Sequence, residues 1–243
     1  GVPGAALLLF FHGGGWVTGT VDSYDGVCAD MAAMTGCVVA SVDYRLAPEY
    51  RFPAAPEDCY AAAREVFRHA GTLGVRPEDI VLIGDSAGGN LAAAVSLMAR
   101  DRGEFRPGRQ ILIYPALDSR HSEDSPYPSV RENGTGYLLT AKRVRDYMAL
   151  YRSSDEDLTN PYFAPLRASS LANQPDTLLI TAEYCPLRDE GEAYGRRLRE
   201  EGGFVEIHRL PDALHGYFSL PVRFSLVKQT YGIMNRFLER RHE

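Results

Sequence analysis

Short runs of apolar, β-branched-rich residues alternate along this chain with longer stretches whose apolar side chains recur every three or four positions. That alternation is the pattern of βα units closing on a parallel sheet, so the class is α/β. Strands are expected at residues 5–11, 37–43, 80–84, 110–114, 177–181 and 205–210, and helices at 54–68, 89–102, 141–152, 188–201 and 222–240. Pro53 and Pro56 suit the start of the first of these helices, because proline presets φ and lacks an N–H that the first turn would leave unbonded. Residues 118–136 hold Pro126, Pro128, Asn133, Gly134 and Gly136 among many charges and read as a long surface excursion. With the helix after it, the stretch 118–152 is expected to form a lid-type segment. No internal repeat or low-complexity tract interrupts the pattern, and one domain over 1–243 is expected.

Composition narrows the partners. At 243 residues and 45% hydrophobic, the chain can bury one substantial core. A net charge of -6 with dispersed Lys and Arg argues against nucleic acid. Cys28, Cys37, Cys59 and Cys185 have neither the spacing of a zinc site nor the density of a disulfide scaffold, which fits a reducing, cytoplasmic setting. The apolar stretch at 5–11 is too short to cross a bilayer and runs into a glycine loop, so neither a membrane anchor nor a signal peptide is expected. Gly1 in place of Met points to a processed or trimmed N-terminus, where targeting information would be lost.

Three motifs carry chemistry. Gly84-x-Ser86-x-Gly88 lies between a predicted strand and a predicted helix, the setting in which flanking glycines permit a sharp turn that lifts a serine hydroxyl above the sheet. A tight turn of no chemical significance gives the same pattern by chance, but the strand-and-helix frame favours a nucleophile elbow. His12-Gly13-Gly14-Gly15 follows the first strand, and consecutive glycines leave backbone N–H groups bare toward a pocket, as an oxyanion hole requires. No Gly-Lys-Ser/Thr follows, so a phosphate loop is disfavoured; His12 itself reads as a structural hydrogen-bonding residue. His215 enters after the last strand and matches the order nucleophile, acid, base. His69, His121, His208 and His242 have no comparable setting.

Together with Trp16, the run from Ser41 to Glu49, Gly89, the run from Pro186 to Asp189, and Gly216, these motifs make the chain resemble the hormone-sensitive-lipase-like branch of the α/β-hydrolases, the bacterial family IV esterases. The resemblance runs nearly end to end. It implies an α/β-hydrolase fold with a mostly parallel central sheet and helices on both faces. It also implies Ser86 as nucleophile, His215 as base, and the N–H groups of Gly14, Gly15 and Ala87 as oxyanion donors. Asp43, Tyr44, Arg45, Pro48 and Glu49 would then brace the oxyanion loop. Trp16 and Tyr217 are candidates for lining the substrate pocket. No metal or organic cofactor is implied, and the partners expected are small-molecule esters, with a homodimer left open.

Two departures matter. Family members carry an N-terminal cap and two further strands before the oxyanion loop, whereas here only the 5–11 strand precedes His12, which would leave 37–43 as a sheet edge with unpaired backbone groups. Members also have Asp-Pro-Leu-Arg-Asp where this chain has Cys185-Pro186-Leu187-Arg188-Asp189. A neutral thiol hydrogen-bonds weakly and cannot stabilise an imidazolium as a carboxylate does. Three readings follow: Cys185 is an ordinary buried residue in a degraded or specialised enzyme, which is favoured; another carboxylate, led by Asp212 and then Asp189 or Glu183, reaches His215; or Cys185 ionises beside His215. Asp189, in the first turn of a helix, suits a dipole-complementing role better. The resulting expectation is a serine carboxylesterase for small to medium esters, working through an acyl-enzyme with Cys185 at the acid position. Against it stand a cyclase, lyase or acyltransferase of the same fold, and a catalytically weakened ligand-binding relative.

Overall fold

The computed structural model describes residues 5–240, so Gly1 and His242 lie outside the described residues. Six strands form one parallel sheet: β1 (Leu7–Phe11), β2 (Val38–Ser41), β3 (Ile80–Asp85), β4 (Arg109–Ile113), β5 (Asp176–Tyr184) and β6 (Val205–Leu214), in the order β2-β1-β3-β4-β5-β6. All six occur where the apolar runs predicted them. β1, β3 and β4 are buried throughout, which is why their apolar residues come in runs rather than alternating with polar ones, although β4 opens on the buried Arg109 and Gln110. β2 is an edge strand, as expected, and Val38 on it is 40% exposed.

Between the strands run α1 (Asp25–Thr35), α2 (Ala54–Arg68), α3 (Ala87–Arg102), α4 (Pro128–Glu132), α5 (Ala141–Tyr151), α6 (Arg188–Glu200) and α7 (Ser225–Glu239). α1 packs with α7, and α2 with α3. α1 and the short α4 were not anticipated. α1 is rich in small residues and buries only Met31 completely, so it lacks an apolar stripe; the legible signal was Gly36, whose left-handed φ of 69° ends the helix. α3 is buried along nearly its whole length, which explains its run of glycine and alanine.

About half of residues 118–136 are exposed, and the rest anchor the segment. Asp118, His121, Ser125, Ser129 and Asn133 are all buried. Glu190 on α6 accepts the N–H groups of Leu117 and Asp118 and pairs with His121 at 2.6 Å, while Asp118 takes ion pairs from Arg120 and Arg167. The Ser129 hydroxyl donates to the carbonyl of Pro186, and the Asn133 amide donates to those of Glu183 and Cys185. The buried Asp118 and His121 are paired within the protein while the other charges of the segment stay exposed, and its anchorage fixes the turn that carries Cys185.

Candidate active site

The C-terminal ends of parallel strands converge on one side of the sheet, the usual place for a site in an α/β fold. Phe11 pairs with Gly84, so the glycine loop leaving β1 lies directly beside the turn leaving β3. Ser86 occupies that turn with φ 55° and ψ -118°, a strained conformation for a residue with a β-carbon. Its N–H donates to the carbonyl of Ile113 at 2.9 Å. A β-carbon on Gly84 would run into the backbone of Gly88, and one on Gly88 into the carbonyl of Phe11. The two glycines are therefore demanded by close backbone approach.

The loop after β1 is held from below by Asp85. Its carboxylate accepts the N–H of Gly13 at 2.8 Å and the hydroxyl of Tyr24 at 3.2 Å, and a β-carbon on Gly13 would sit 2.6 Å from it. Burial, with no cation beside it, pushes the Asp85 carboxyl up to about 6, against the lowering effect of those hydrogen bonds. Gly14 and Gly15 adopt φ of 118° and 63°, and Trp16 follows at 60°. His12 is buried, bonded through Nδ1 to the carbonyl of Gly13 and stacked on Tyr44, whose hydroxyl donates to the His12 carbonyl at 2.6 Å. Burial lowers its pKa, so it is a neutral brace. Arg45 pairs with Asp58 on α2 at 2.8 Å, tying the segment after β2 to that helix.

From the other side, the end of β6 delivers His215. Its Nε2 lies 2.9 Å from Ser86 Oγ, and its Nδ1 lies 3.2 Å from Cys185 Sγ. Cys185 is wholly buried, and its sulfur also accepts the N–H of Leu187 at 3.4 Å. Burial raises the thiol far above its ordinary range, so the sulfur is neutral, which disfavours the thiolate reading. Burial also lowers His215 to about 3. The carboxylates considered as substitutes are engaged elsewhere: Glu183 accepts the N–H of Asp212 at 2.7 Å, and Asp189 accepts from Ser129 N–H and from Arg188. The Asp212 side chain is exposed, and among the described residues none of the three carboxylates is hydrogen-bonded to His215.

Ser86 and His215 open into a cavity of about 270 Å³. Gly14, Gly15 and Ala87 line it, and Trp16 forms part of its wall. Tyr217 does not line it: that side chain is buried against Tyr114, and its hydroxyl bonds Thr230 on α7. Sequence reasoning missed the rest of the wall, chiefly Tyr24, Leu138, Leu139, Arg143, Val144 and Tyr147. The three on α5 recur at about one face of a helix, the only signal that could have grouped them. Among the described residues, no group of three His, Cys, Asp or Glu side chains is placed to hold a metal ion, and no helix is long and apolar enough to cross a membrane.

Comparison with known proteins agrees with this architecture. The alpha/beta hydrolase fold family matches residues 8–219. An arylesterase of Saccharolobus solfataricus is 39% identical over 88% of this chain, which spans 69% of that protein. The esterase LipI of Mycobacterium tuberculosis is 41% identical over 88% of this chain, which spans 66% of LipI. A crystal structure of a thermophilic, thermostable carboxylesterase cloned from a metagenomic library superposes with a TM-score of 0.90 at 37% identity, covering 97% of this chain and 79% of that one. With a family match across most of its length, and with relatives that are esterases, this chain belongs to the α/β-hydrolase-fold family, in its hormone-sensitive-lipase-like, family IV branch.

Proposed function

We propose that this chain hydrolyses small to medium carboxylic esters through an acyl-enzyme on Ser86. The reaction class follows the relatives, which are an arylesterase, an esterase and an ethyl acetate hydrolase. The single observation that carries the mechanism is the line from Cys185 Sγ through His215 to Ser86 Oγ, with separations of 3.2 and 2.9 Å. In this reading Ser86 Oγ attacks the ester carbonyl while His215 Nε2 takes its proton. The backbone N–H groups of Gly14, Gly15 and Ala87 receive the oxyanion, His215 returns the proton to the departing alcohol, and then activates water to release the acid.

Cys185 sets the rate. A carboxylate at that position holds Nδ1–H as donor, which leaves the Nε2 lone pair facing serine, and it stabilises the imidazolium that forms in each step. A neutral thiol donates and accepts weakly, so it locks neither tautomer and offers no charge. With S–H donating to Nδ1, the proton sits on Nε2 and His215 cannot act as base. The result is an intact pocket with a slow base. Leu138, Leu139 and α5 form the outer wall and act as the lid, with residues 118–136 anchoring the Cys185 turn beneath them. An organophosphonate probe checks the nucleophile: one adduct on the intact protein by mass spectrometry is expected, and labelling that persists in Ser86→Ala contradicts the assignment.

A further inference from the structure

The first turn of α5 carries Lys142 and Arg143, with Arg145 just after, and no acidic residue, although a helix N-terminus favours negative charge. Two of these cations are engaged. Lys142 pairs with Asp146 at 2.7 Å, and Arg145 donates to the carbonyl of His121 at 2.7 Å. The guanidinium of Arg143 has neither an ion pair nor a hydrogen bond among the described residues; only its backbone N–H is bonded, to the Thr140 cap. Among the described residues it is also the one lysine or arginine in the wall of the cavity that holds Ser86 and His215. The carboxylate in that wall, Asp85, is buried and turned to Gly13 and Tyr24. Trp16, Leu138, Leu139, Val144 and Leu187 make much of the remaining surface apolar. The cavity thus presents one guanidinium with no bonded partner beside apolar walls, near the positive end of α5, while the carboxylate of Asp85 is tied to Gly13 and Tyr24.

From this we infer that Arg143 selects esters that also carry an ionised carboxylate: half-esters of dicarboxylic acids, or hydroxy acids acylated on the hydroxyl. The inference rests on the ester-hydrolase reading of the Ser86 cavity and narrows its substrate class. A guanidinium is weakly hydrated and meets a carboxylate with two parallel N–H donors, and low-dielectric walls strengthen that pairing. Arg143 remains exposed to solvent, so the preference is modest and salt-sensitive.

The test compares monoethyl adipate with ethyl hexanoate, and acetylglycolate with ethyl acetate, by kcat/KM at low and high salt. In the parent protein the charged member of at least one pair is expected to be favoured about three- to tenfold. Arg143→Gln should reduce that ratio toward one, high salt should do the same, and Arg143→Glu should shift preference toward an ester bearing an ammonium, such as ethyl 6-aminohexanoate. Ratios that stay the same in both variants overturn the inference while leaving Ser86-dependent hydrolysis standing. Absence of turnover with every ester sinks the hydrolase reading instead. In that case binding decides the role of Arg143: titrations of the Ser86→Ala protein with monoethyl adipate and ethyl hexanoate, followed by fluorescence of the sole tryptophan, Trp16, in the cavity wall. Equal affinity for the two esters with and without Arg143→Gln overturns it.

Discussion

The two halves of the candidate site are built to different standards. Around Ser86 the backbone is over-determined: Gly84 and Gly88 have no room for a β-carbon, and Asp85 holds the glycine loop through Gly13. Around His215 the positions are equally well kept, with Nε2 2.9 Å from the serine and Nδ1 3.2 Å from Cys185, yet the group at the far end carries no charge. Geometry and electrostatics are thus separable. Close packing can hold such a geometry without a charge, because Asn133 and Ser129 fix the Cys185 turn through backbone carbonyls whatever side chain occupies it.

The sharpest way to break this contrast is to supply the missing charge. Cys185→Asp should raise kcat for a neutral ester by up to about 10⁴-fold, the loss seen when a triad acid is neutralised elsewhere; steady-state kinetics on folded protein checks it. On the over-determined side, Gly88→Ala should cost about 3 kcal/mol or more in denaturant unfolding, because the new β-carbon meets the Phe11 carbonyl. Asp85 gives a smaller effect with a definite sign. Its folded pKa of about 6 lies above the ordinary 3.8, so it contributes stability that is fully present below 3.8 and lost as pH rises through 6. His215, lowered from 6.5 to about 3, acts oppositely and weakens the fold as pH falls through that window. Asp85→Asn removes the first contribution, so its denaturation midpoint should fall more steeply than the parent's between pH 7 and 4.5. The smallest effect is Asp212→Asn, which should change kcat by no more than about twofold, as an exposed substitution away from His215.

Much of this was legible in the chain. The central strands announced themselves because a doubly covered parallel sheet favours apolar runs, and motif and order pointed to Ser86, Cys185 and His215, which the fold brings within hydrogen-bonding distance. The helix α1 was not, since its small residues leave no stripe to read. The cavity wall was not legible either. Tyr24, Leu138, Arg143 and Tyr147 meet Ser86 only after βα units far apart in sequence have packed, and Tyr217 turned the other way, toward Thr230. Within residues 118–136 the buried Asp118 and His121 looked no different from the exposed charges around them, because composition does not record pairing.

The most direct measurement is the protonation of His215 itself, followed by ¹⁵N NMR of its ring nitrogens across pH in the parent protein and in Cys185→Asp. Beside a neutral thiol, the parent imidazole should stay neutral down to about pH 3 and show no single fixed tautomer. In Cys185→Asp it should carry its proton on Nδ1 and titrate at higher pH. A parent His215 already locked in the Nδ1–H form and titrating at or above 6.5 would contradict the conclusion that Cys185 leaves this base without an anionic partner.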